Sequence, residues 1–126
     1  MCSLCSTRTM TVLVVEDHDD LRRILAQFLR LRGCVVEEAS DGVEGMAALD
    51  RRTFDVVVSD LAMPGLDGAG LWLRTRAGHR HLATRWVFVS SEQLPVVLAE
   101  ARLQHLAKPY ELEDIWTAVG AAAPGR

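Results

Sequence analysis

No apolar run in this chain approaches the roughly 18 residues that a membrane-spanning helix requires. Neither sign of charge dominates: 14 Lys and Arg face 17 Asp and Glu, a formal charge of -3. The composition therefore gives no general pull toward nucleic acid or an anionic membrane, and neither partner is expected. Cysteine is scarce, with 3 in 126 residues. Cys2 and Cys5 form a C-x-x-C, but the remaining thiol is Cys34 and no nearby histidine completes a zinc set, so three reduced thiols are expected. The N-terminus lacks a basic segment followed by an apolar one, which excludes a secretory signal and makes cytoplasmic residence the expectation. Neither G-x-x-x-x-G-K-[ST] nor G-x-G-x-x-G occurs, since Gly65, Gly68 and Gly70 have the wrong spacing, and the nucleotide-binding motifs drop out. Internal repeats and low-complexity linkers are missing as well.

What is present is a chain of 49% hydrophobic and 25% charged residues, long enough for one domain with a proper core. Strand-like runs recur at Thr11 to Val15, Cys34 to Val36, Val56 to Val58, Trp86 to Val89 and Leu103 to Ala107. Helix-like segments separate them, an alternation that means βαβ units and a parallel sheet. Between Asp19 and Arg32, Leu21, Ile24, Leu25, Phe28 and Leu31 recur at helical spacing. Arg22, Arg23, Arg30 and Arg32 are left to solvent, Asp19 and Asp20 cap the start, and Gly33 supplies a C-cap. Asp41 and Glu44 announce a second helix, a third begins near Asp67, and a last one follows Lys108-Pro109 with Leu112, Ile115, Trp116 and Val119 on one side. Residues 1–10 are expected to be a disordered extension, 11–122 the folded domain and 123–126 a tail. Trp72, Trp86 and Trp116 read as packing residues, and His79 and His81 as exposed loop residues.

Ligands of parallel sheets bind beyond the carboxyl ends of the strands, so the residue after each run matters. After the first stand Glu16 and Asp17, after the third Asp60, after the fourth Ser90 and Ser91, and after the fifth Lys108. Three carboxylates packed together resist ionising unless a cation joins them. Oxygen donors suit Mg²⁺, which takes one or two protein carboxylates plus phosphate oxygens. With the ion and Lys108 the formal charges sum to zero, and a phosphoryl group can enter without a large charge penalty. A carboxylate nucleophile takes such a group as a mixed anhydride.

These elements, "VVEDHDD", "VVVSDLAMPGLDG", "VFVSSE" and "LAKPY" in order, resemble the receiver domains of two-component response regulators from Thr11 to about Gly120. The resemblance implies a flavodoxin-like, doubly wound sheet of five parallel strands in the order 2-1-3-4-5 with helices on both faces. It implies that Asp60 is the phosphoacceptor, that Asp17 and Asp60 ligate Mg²⁺ with the Ala62 main-chain carbonyl, and that Glu16 acts through a water. Ser90 would hydrogen-bond the phosphoryl group and Lys108 would pair with it. A sensor histidine kinase or a histidine phosphotransfer protein would be the donor, with homodimer formation on phosphorylation as an option. The domain would be a switch that phosphorylates and dephosphorylates itself, not a turnover enzyme.

Two other classes compete: a Mg²⁺-dependent phosphatase or phosphotransferase working through an aspartyl-phosphate, and an interaction module with a dead site. A haloacid-dehalogenase-like enzyme would want an acid two residues beyond the nucleophile, where Ala62 stands. The resemblance also places Ala62 and Glu92 along the path of attacking water. The chain departs from the family in two places. Ser90 to Lys108 is about one helical turn short, with Pro95 inside, so the fourth helix is expected to be short or irregular and the partner surface to shift toward the first or last helix. His105 stands where the family carries a switch aromatic, which adds a potential pH dependence.

Overall fold

Valine dominates the central strands, and its branched side chain fits a pleated sheet covered on both sides. In the computed structural model, which describes residues 9–78, 85–91, 95 and 103–123, five strands form one sheet. They are β1 (Thr11–Val15), β2 (Val35–Ala39), β3 (Val56–Asp60), β4 (Trp86–Ser90) and β5 (Gln104–Ala107). All pairings are parallel, in the order β2-β1-β3-β4-β5, which is the doubly wound topology. The helices among the described residues are α1 (Asp19–Leu31), α2 (Gly42–Arg51), α3 (Gly68–Gly78) and α4 (Leu112–Ala122).

Alternation along the strands splits the core in two. Leu13, Val15, Val57, Trp86 and Phe88 face α2 and α3, packing on Ala48, Leu49, Leu71 and Trp72. Val12, Val14, Val56, Val58, Val87 and Val89 face α1 and α4, packing on Leu25, Ala26, Leu29, Ile115 and Val119. The same alternation carries Glu16, Asp60 and Lys108 to the α1/α4 side, because they continue the parity of Val14, Val58 and Leu106. Three side chains separated widely in sequence thereby meet at one corner.

Several local expectations need correction. β2 runs on to Ala39, because Glu37 and Glu38, which break the apolar pattern, find cations: Arg51 and Arg52 at Glu37, Arg22 and Arg30 at Glu38. α1 is capped by His18 rather than Asp19 or Asp20; its Nδ1 accepts from the Leu21 N–H, while Asp19 and Asp20 pair with Arg22 and Arg23 one turn on. At the other end the cap is Arg32, with Gly33 just beyond it at φ 93°. Ile24 and Leu31 are 51% and 79% exposed, so the helix buries a narrower stripe than its apolar residues suggest. Met10, expected within the extension, accepts from the Val35 N–H and packs against the core. The segment between β4 and β5 where a short or irregular helix is expected, Glu92, His79 and His81 lie outside the described residues.

The turn after β3 fixes the site. Met63-Pro64-Gly65 bends the chain, and φ at Gly65 is 74°, the left-handed value that type II turns reserve for glycine. Gly68 then opens α3 directly against the end of β3, its N–H donating to the Leu61 carbonyl at 3.0 Å.

Candidate functional site

Asp60 is the last residue of β3 and is 4% exposed. One of its oxygens, Oδ1, accepts from the Ala62 N–H at 3.1 Å; the other, Oδ2, accepts from Lys108 Nζ at 2.8 Å. Lys108 is brought there by the end of β5, where its own N–H donates to the Ser90 carbonyl at 2.9 Å. Ser90 closes β4 and is buried. Glu16 follows β1, is buried, and anchors one carboxylate oxygen on the His18 N–H at 3.1 Å. Asp17 beside it is exposed. Carboxylate oxygens of Glu16, Asp17 and Asp60 lie within 4.8 Å of one another. The five chemically active side chains expected from the sequence thus stand at the carboxyl ends of β1, β3, β4 and β5, and four of them form a single charged cluster.

The electrostatics show a site short of positive charge. Burial, reinforced by the Asp60 charge and opposed by the His18 N–H and by Lys108, pushes the Glu16 carboxyl up to about 7. Burial pulls the Lys108 ammonium down, but its bond to Asp60 and the charges of Glu16, Asp60 and Asp17 outweigh this and raise it above the ordinary lysine value. Lys108 Nζ is 3.7 Å from Glu16 Oε1, beyond hydrogen-bonding reach. That oxygen is buried and has no hydrogen-bond partner among the described residues. A buried, unpartnered acceptor inside an all-oxygen donor set is what a hard divalent cation with its water requires, so the residues fit Mg²⁺.

Two supporting residues escaped the sequence reading. Arg22, read as reaching solvent, has a side chain only 12% exposed and donates through Nη1 to the Glu16 carbonyl at 2.9 Å while pairing with Asp19 and Glu38. Its signal was the spacing from Glu16 to the second turn of the following helix. Tyr110, two residues past Lys108, packs against the α1/α4 core with a buried hydroxyl. His105 sits on β5 opposite Phe88, and its Nε2 is buried without a hydrogen-bond partner among the described residues.

A doubly wound parallel sheet with acids and a lysine gathered at its carboxyl edge defines a class of α/β domain built to hold an anionic, oxygen-rich group beside a cation. The chain belongs to the response regulator receiver domain family, whose model matches residues 12–120. It is 36% identical over 118 residues to the sensor kinase CckA of Brucella abortus (strain 2308), covering 86% of this chain and 12% of that protein. To the chemotaxis protein CheY-3 of Vibrio cholerae serotype O1 it is 31% identical over 108 residues, 82% of this chain and 83% of that one. Among solved structures, the response regulator TrrA of Thermotoga maritima in complex with Mg²⁺-BeF matches with a TM-score of 0.81 over 90% of this chain and 99% of that one. Its 19% identity shows the fold alone. The chain is a receiver domain of the kind that serves as a phosphorelay signalling switch, and it spans only a small part of the length of CckA.

Proposed function

We propose that this receiver domain accepts a phosphoryl group on Asp60 from the phosphohistidine of a sensor histidine kinase or a histidine phosphotransfer protein. The observation that carries the reading is the 2.8 Å contact of Lys108 with Asp60 inside a cluster that also holds Glu16 and Asp17. An Asp60 oxygen attacks phosphorus; the new P–O bond forms as the P–N bond breaks, and the electron pair leaves on the imidazole nitrogen. Because the transition state is loose, positioning and charge neutralisation supply most of the catalysis. Lys108, a point charge on a flexible stem, follows the phosphoryl oxygen away from Asp60. Ser90 hydrogen-bonds the same group. Asp17, Asp60 and the Ala62 carbonyl would hold Mg²⁺, with Glu16 acting through a water, and the ion when bound would supply neutralising charge to the phosphoryl oxygens. The complex of TrrA with Mg²⁺-BeF supports this use of the fold. Turnover is confined to self-phosphorylation and self-dephosphorylation, in the cytoplasm, with a changed partner surface or a homodimer as the output.

Incubation with Mg²⁺ and acetyl phosphate should add one acid-stable, base-labile phosphoryl group, and Asp60→Asn should abolish it. Retention of the same modification in that variant defeats the assignment. Asp17→Ala should weaken Mg²⁺ binding by about tenfold or more, since it removes a carboxylate ligand, whereas Lys108→Ala should spare Mg²⁺ and impair phosphorylation. Equal loss of Mg²⁺ in both variants contradicts this division of roles.

A further inference from the structure

Two buried polar atoms at this corner lack hydrogen-bond partners among the described residues, and they are complementary. Glu16 Oε1 is an acceptor in the ionised carboxylate, and the Tyr110 hydroxyl is a donor. Both belong to the α1/α4 side of the sheet at its carboxyl edge, Glu16 through the parity of β1 and Tyr110 through its packing in that half of the core. Tyr110 stands two residues beyond Lys108, whose Nζ is 3.7 Å from the same Glu16 oxygen. Burial, with the charges of Glu16 and Asp60 adding, pushes the phenol up to about 12. The hydroxyl therefore keeps its proton at physiological pH and remains a donor. A phenylalanine would supply the same apolar ring without the cost of burying an oxygen, so the hydroxyl calls for a partner.

We infer that Tyr110 is a positioning residue whose hydroxyl shares one buried water with Glu16 Oε1, holding that carboxylate in the orientation the cation site needs. A buried water requires two to four polar partners, and Tyr110, Glu16 and the Lys108 ammonium supply three. Donation from the phenol through the water orders an oxygen that the His18 N–H, bonded to the other carboxylate oxygen, leaves free to swing. The inference rests on the proposed metal-binding role of Glu16, but the shared water exists without the metal.

Tyr110→Phe removes one oxygen and keeps the packing. Its effect on urea unfolding of the metal-free full chain is to be measured at about pH 8, where the Glu16 carboxylate is ionised, with Glu16 intact and in Glu16→Ala. With Glu16 present the folding equilibrium constant should fall roughly fivefold; in Glu16→Ala it should change less than about twofold, or rise. Isothermal titration should show Mg²⁺ affinity falling about tenfold in Tyr110→Phe, while acetyl phosphate still modifies Asp60. A variant that is stabilised in both backgrounds and binds Mg²⁺ as the wild type does would make the hydroxyl a mere packing defect and overturn the inference. Equal changes in both backgrounds would overturn it too, since the hydroxyl would then act without Glu16. Failure of Asp60 as acceptor would strike the proposed function and leave the metal-free comparison standing.

Discussion

At the scale of single residues, Glu16 is a carboxylate almost wholly withdrawn from water, 1% exposed. Its carboxyl is pushed up to about 7 by burial beside Asp60, against an ordinary value of 4.5. The folded, metal-free protein therefore holds a proton that the unfolded chain releases earlier. This contribution to stability is fully present below about pH 4.5 and is lost as pH rises through 7, a change on the order of 2–3 kcal/mol. Glu16→Gln keeps the shape and cannot ionise. In the absence of metal it should match the wild type within about 1 kcal/mol at pH 4.5 and exceed it by roughly 2–3 kcal/mol at pH 8. Urea titrations of both proteins at the two pH values decide this; a gap that does not widen with pH means that the carboxylate carries no burial penalty. The same ion that makes Glu16 costly in the free protein makes it useful once a cation neutralises the corner, so stability and function pull this residue in opposite directions.

At the scale of elements, the junction of β3 with α3 decides where Asp60 points. A Cβ on Gly68 would stand 2.3 Å from the Asp60 carbonyl oxygen and 2.9 Å from Leu61 Cα, contacts that only a backbone shift relieves. Gly68→Ala should cost about 2 kcal/mol and slow acetyl phosphate modification of Asp60, whereas Gly78→Ala, at an open position of the same helix, should do neither. Equal behaviour of the two variants in urea unfolding and phosphorylation would show that the junction does not hold Asp60 in place. This junction also marks how far the sequence could be read. The strands were legible where valine runs are buried on both faces, and Asp60, Ser90 and Lys108 were legible because each stands where a strand-like run stops, at the edge where parallel sheets bind their ligands. β2 was read short because an edge strand carries its charges outward, and only the structure supplies the arginines that satisfy Glu37 and Glu38. Arg22 was misread because an arginine off the apolar stripe of a helix normally faces water, while here the start of α1 lies over the Glu16 carbonyl. Tyr110 left no signal, because a lone aromatic before a helix reads as packing and its oxygen acquires meaning only beside Glu16.

At the scale of the whole molecule, the carboxylates of the corner come from the ends of β1 and β3 and its ammonium from β5, so the site gathers the sheet's inner strands with one of its edges. Both halves of the core are built on those same strands. The domain should therefore unfold as one unit, and an ion bound at the corner should stabilise all of it rather than a loop. For a ligand that binds only the folded state, the gain is about 2.7 kcal/mol at a concentration 100 times the dissociation constant. Mg²⁺ should thus raise the urea midpoint progressively with concentration, and Asp17→Ala should flatten that dependence. The tryptophans report on the two halves separately: Trp72 and Trp86 lie in the α2/α3 half, while Trp116 packs against the α1/α4 half under Arg32, which also covers Phe28 and pairs with Glu113. Trp116→Phe confines the fluorescence signal to the α2/α3 half. Its transition should coincide with the loss of helix seen by far-ultraviolet circular dichroism, and should move with Mg²⁺ by the same amount although the proposed cation site lies toward the other face. A fluorescence midpoint that stays fixed while the circular dichroism midpoint moves would show two separately stable halves, and the sheet would then not couple the site to the α2/α3 surface.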